Sequence, residues 1–88
     1  MQKRNLDKVK TMDLLKMSEL AEYNGVRYST IKHYSELGLL PYQQKEKRLA
    51  KYYPRIEASK RLKEILKMRA KGKSLTDIIN YFIINASN

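Results

Sequence analysis

Residues 17–41, M-S-E-L-A-E-Y-N-G-V-R-Y-S-T-I-K-H-Y-S-E-L-G-L-L-P, decide how the rest of the chain is read. They divide into two short helices joined by a tight turn. Ser18 is an N-cap type of residue, whose hydroxyl accepts from a free backbone N–H one turn on. Glu19 and Glu22 follow it, near the positive end of the helix dipole. Leu20 and Ala21 supply apolar contact before Asn24-Gly25, a turn pair in which glycine tolerates positive φ. The spacing predicts a second helix over 28–37, stopped by Gly38. Ile31 and Tyr34, with Leu37 or Ser35, fall on its inward face. Ser29, Lys32, His33 and Glu36 turn outward, with Thr30 at the border. Two helices, a small residue where they touch and a basic outer face suggest a helix-turn-helix.

Around this pair, 88 residues make one small domain. No apolar run is long enough for a membrane span and no charged-then-apolar leader is present, which fits a cytoplasmic protein. Cysteine is absent, so neither disulfides nor thiolate metal sites hold the fold. The net charge is +10, and it is unevenly placed. Residues 45–73 carry twelve Lys or Arg against three Glu, while no charged side chain follows Asp77. Such a field favours a polyanionic partner, nucleic acid before an anionic membrane surface. The plain alternative is a solvated helix face.

Residues 1–13 are polar and basic, with only Leu6, Val9 and Met12 to bury, and read as a flexible arm. Lys3, Arg4, Lys8 and Lys10 either lie along phosphates or simply solubilise it. Residues 14–17 form a short extended lead into the first helix. Pro41 ends the helical region and biases Leu40 towards extended geometry. Residues 42–53 lack helical apolar spacing and read as a β-hairpin tipped by residues 45–48.

Pro54 then opens a third helix at its first position. Ala58, Leu62, Ile65, Leu66 and Arg69 make one stripe along it. Lys67, Arg69 and Lys71 crowd its negative end before Gly72. Ser74 and Asp77 start a last helix with capping-box spacing, and Leu75, Ile78, Ile79 and Phe82 share one face. Tyr81, Ile83 and Ile84 add apolar surface, which either meets a partner or packs on the N-terminal segment. The expected organisation is an arm over 1–13, a domain over 14–84 and a tail over 85–88.

The order of these elements resembles the N-terminal DNA-binding domain of MerR-type regulators. There a segment like K-I-G-E-L-A…G-V…T-I-R-Y-Y-E…G-L-L-P precedes a wing, a Tyr and two helices. Here T-I-K-H-Y…G-L-L-P carries the likeness most specifically, Tyr52-Tyr53 stand after the wing, and G-K-S-L-T-D-I is similar to the family's G-x-S-L-x-x-I step. Several positions depart from the pattern. Lys32 and His33 stand where Arg and Tyr are usual, Arg27 replaces a small N-cap, and the wing lacks a Gly-Tyr-Arg run. The long dimerising helix, effector domain and cysteine metal ligands of larger members have no counterpart in these residues.

The resemblance implies a mainly α winged helix-turn-helix with a small β-hairpin, which binds double-stranded DNA as a small transcriptional regulator on the nucleoid. Tyr28, Ser29 and Lys32 are then the groove-facing candidates, with Lys16, Arg27 and His33 beside them. Thr30 and Tyr34 bond phosphates, or Tyr34 belongs to the core. Lys45, Lys47, Arg48 and Lys51 grip phosphates from the wing, and Tyr52 adds a hydroxyl or a stacking face. The stripe Arg55, Lys60, Arg61, Lys63 and Lys67 is too long to touch one duplex throughout. Self-association through Tyr81, Phe82, Ile83 and Ile84, as a homodimer or head to tail, is the expected protein contact.

No cofactor or metal is expected, since His33 has no companion ligand. Nor does the chain hold a Ser/His/Asp or Cys/His set or a Gly-rich phosphate loop, so an enzyme is not expected. The rival readings are an excisionase- or partition-like architectural DNA-binding protein, and an interaction adaptor that uses the apolar C-terminal helix.

Overall fold

A computed structural model describes residues 9–84. Strand β1 (Leu14–Leu15) leads into helix α1 (Met17–Asn24) and, after a turn, helix α2 (Tyr28–Glu36). Strand β2 (Tyr53–Pro54), helix α3 (Arg55–Ala70), helix α4 (Leu75–Ile79) and a π-helical turn (Asn80–Ile84) complete the order. The strands pair antiparallel, Leu14 opposite Pro54 and Leu15 opposite Tyr53. The fold is mainly α with a small antiparallel β element, a winged helix-turn-helix.

The wing departs from a regular hairpin. It is closed by one bridge, in which Gln43 and Tyr52 exchange backbone hydrogen bonds of 2.7 and 2.9 Å. Its tip has no Gly, Asn or Asp to support a two-residue turn. Instead the Gln44 amide donates to the carbonyls of Lys47 and Leu49, at 3.3 and 2.6 Å, and holds the loop from inside. The strand partner of Tyr53 comes from β1, on the far side of the helix pair.

Helix α1 begins two residues earlier than expected. Lys16, not Ser18, is its N-cap, and Ser18 is an exposed residue of the first turn. The deciding group is Glu19, whose carboxylate accepts from the Lys16 N–H at 2.8 Å, the returning half of a capping box. Gly25 ends α1 at φ 65°, and the Val26 N–H reaches back to the Ala21 carbonyl at 3.0 Å. The Asn24 amide donates to the Leu20 carbonyl at 2.9 Å and to the Ser59 hydroxyl at 3.0 Å, so the turn is tied to α3. Arg27 caps α2 with extended backbone and no side-chain bond.

Leu15, Leu20, Ile31, Leu39, Tyr53, Leu62, Ile65 and Ile78 are fully buried where the helices and the sheet meet. Each such aliphatic side chain contributes about 1.5–3 kcal/mol by leaving water. On α3 the stripe is buried at Ala58, Leu62 and Ile65, half-buried at Leu66 and exposed at Arg69. Ser59 is buried beside it through its bond to Asn24. Pro54 stands at the N-cap of α3 rather than the first helical position, because it still belongs to β2. Ser74 caps α4 reciprocally with Asp77, both bonds 3.1 Å.

Val9 lies in the core and Met12 packs against it. The Arg55 backbone N–H bonds the Asp13 carbonyl at 2.8 Å, and its Nε bonds the Met12 carbonyl at 2.9 Å. Residues 9–13 are thus held on the body; the remainder of the expected arm, with Leu6, Lys3, Arg4 and Lys8, and the tail over 85–88 lie outside the described residues. Among the described residues no helix is long and apolar enough to cross a membrane.

Candidate nucleic-acid interface

Helix α2 divides sharply by face. Ile31, Tyr34 and Ser35 are buried, while Tyr28, Ser29, Lys32, His33 and Glu36 are exposed and Thr30 is half-buried. Tyr34 is 7 % exposed, which puts its ring in the core, where the second of its two readings had it. His33 leans over that ring, centroids 5.7 Å apart.

A groove of about 500 Å³ runs between the start of α1, the outer face of α2 and the wing. Lys16, Tyr28, Lys32 and Lys51 line it together, joined by Ser18, Glu36 and Gln44. Residues from three separate parts of the chain therefore meet on one basic surface. Lys51 is steadied there by the Tyr42 ring, with its ammonium 4.5 Å from the centroid. Lys45 and Tyr52 line an adjoining recess beneath the wing, and Lys47 and Arg48 are exposed at its tip. Arg27, Ser29, Thr30 and His33 lie outside the groove lining, on the exposed or half-exposed side of α2.

Beneath this surface, the Ser35 and Tyr53 hydroxyls share a buried hydrogen bond of 2.5 Å. Burial pushes the Tyr53 phenol above its ordinary pKa, against the opposing bond from Ser35. The bond fastens α2 to the strand that follows the wing, so helix and wing are held from one point. Two cations counted in the basic stripe are structural instead. Arg55 Nη1 donates to the Tyr23 hydroxyl at 3.1 Å. Arg61 donates to the Leu39 carbonyl at 3.1 Å and stacks 4.4 Å over the Phe82 ring.

Sequence reasoning did not assign Ser18, Glu36 or Gln44 to a contact groove. Glu36 was legible as an outward residue one turn beyond Lys32. Gln44 carried no periodic signal, because its role depends on how the wing folds back. Among the described residues no group of three or more His, Asp, Glu or Cys is placed to hold a metal ion.

A family model described as MerR HTH family regulatory protein matches residues 15–82, from β1 through Phe82. Neither the curated proteins nor the solved structures gave a match.

Proposed function

The chain belongs to the MerR HTH family of regulatory proteins, DNA-binding regulators of transcription, and we propose that it reads double-stranded DNA by laying α2 in a major groove. Tyr28, Ser29 and Lys32 face base edges in this reading, and the Lys32 ammonium suits the guanine O6/N7 acceptors. Lys45, Lys47, Arg48 and Lys51 bind phosphates from the wing, while Lys16 and Arg27 do so from the helix starts. Thr30 and His33 flank the same helix face, Tyr52 adds its hydroxyl beside the wing, and Tyr34 supports the helix from the core. Phosphate contacts set register and base contacts set sequence. The observation that carries the reading is the convergence of Lys16, Tyr28, Lys32 and Lys51 on one groove.

Glu36 lines the same groove. A carboxylate repels phosphate and accepts from cytosine N4, so its contribution is selectivity rather than affinity. Such a regulator acts on the nucleoid in the cytoplasm. Selection of bound duplexes from a random pool tests the reading: a recovered motif with fixed spacing supports it, and recovery of no motif from a pool that binds well favours an architectural role.

Contact between two copies is supported by Tyr81 and Ile84, which are 57 % and 56 % exposed at the C-terminal turn. Phe82 is half-buried, packed against the core with Arg61 stacked over its ring, and offers less surface to such a contact. Sedimentation of the free protein and of its duplex complex measures this directly.

A further inference from the structure

A second groove, of about 380 Å³, lies along the outer flank of α3 and shares no lining residue with the first. Ile56, Lys60, Lys63 and Lys67 line it from α3, with Tyr23 from α1 and Glu64 as the one lining carboxylate. The four α3 positions are spaced i, i+4, i+7 and i+11, which makes a single helix face about 16 Å long. Ile56 is 68 % exposed, the most exposed large hydrophobic residue among those described. The three lysines are exposed, and their ammonium groups take part in no hydrogen bond or ion pair among the described residues.

We propose that this face docks an acidic amphipathic helix of another protein, with an apolar residue seated on Ile56 and Tyr23 and carboxylates paired to Lys60, Lys63 and Lys67. Charge complementarity fixes the sign of the partner. The isoleucine fixes its kind, because a phosphate backbone offers nothing to cover an apolar side chain, whereas the apolar face of a helix does. The floor is already rigid. Ser59 accepts from Asn24 at 3.0 Å, and Tyr23 is held by the Arg55 guanidinium, 5.6 Å from its ring centroid. Little ordering is left to be done on binding, which favours recognition of a short segment.

The test is an NMR titration of the full chain, saturated with a duplex it binds, using a synthetic helical peptide of Glu and Asp with leucines at i, i+3 and i+4 spacing. Shifts are expected at Tyr23, Ile56, Lys60, Lys63 and Lys67 while the duplex stays bound and α2 stays unmoved. Ile56→Ser, whose side chain is outside the core, and the pair Lys63→Glu/Lys67→Glu are each expected to weaken the peptide about tenfold with duplex affinity and melting unchanged. The proposal is overturned if the peptide displaces the duplex, or if an all-glutamate peptide binds equally well. It is equally overturned if a second equivalent of duplex takes the α3 face, or if no shift appears there.

Discussion

The hydroxyls of Ser35 and Tyr53, eighteen residues apart, share one buried hydrogen bond between the inner side of α2 and the strand behind the wing. Tyr53 is fully buried and Ser35 is 4 % exposed, so neither group has water to replace the other. Removing one partner strands the other. Tyr53→Phe is expected to lower stability by about 1–3 kcal/mol, read from urea unfolding. Ser35→Ala in the Tyr53→Phe background should add little further, and full additivity of the two losses would disprove the coupling.

The same bond gives a pH dependence at the alkaline end. The folded Tyr53 phenol has its pKa raised by burial. Its contribution is therefore complete below about pH 10, the unfolded tyrosine value, and is lost as pH rises from there through the folded value. Above about pH 10, the slope of stability against pH should be shallower in Tyr53→Phe than in the wild type. Equal slopes would separate the phenol from alkaline unfolding.

Asp77 gives the opposite sign. The Ser74 backbone N–H, donating to the carboxylate at 3.1 Å, and then the Ser74 hydroxyl hold its carboxyl below the usual aspartate range. That contribution is present above the unfolded aspartate value and fades as pH falls through the folded one, from about pH 4 downward. Asp77→Asn should flatten the acid limb of the stability curve, and Ser74→Ala should cost about 1 kcal/mol at neutral pH. Thermal melts across pH 2–7, a range of about five units that brackets the aspartate titration, check both.

The helix pair was legible because its signals are local. Gly25 and Gly38 end their helices at positive φ, and Ile31 and Tyr34 recur at the helical period that faces the core. The outer face of α2 followed from the same period. What escaped the sequence is long-range. The bonds Asn24–Ser59 and Ser35–Tyr53 join polar residues that carry no periodic signal. Arg55 and Arg61 looked like part of a solvated stripe, yet each reaches a carbonyl far away in sequence. The α1 cap moved from Ser18 to Lys16 because Glu19 serves the free N–H from the third helical position.

Contacts of different kinds should separate in binding measurements. Arg48→Ala at the wing tip removes a proposed phosphate contact, so duplex affinity should fall alike for all sequences, with the slope of log affinity against log salt about 0.9 shallower. Lys32→Ala should cost about 1–3 kcal/mol on the preferred site and less on unrelated duplexes. Identical losses on every duplex would make Lys32 a phosphate contact instead.

The most direct measurement of the central claim is duplex affinity across a salt series, for the wild type, for Lys32→Ala/Lys51→Ala and for Lys60→Ala/Lys63→Ala. Wild-type affinity should fall steeply with salt, and the first pair, which lines the α2–wing groove, should lose at least about tenfold on its selected site while the second pair changes little. Negligible affinity of the wild type at low salt, or equal losses from the two pairs, would contradict it.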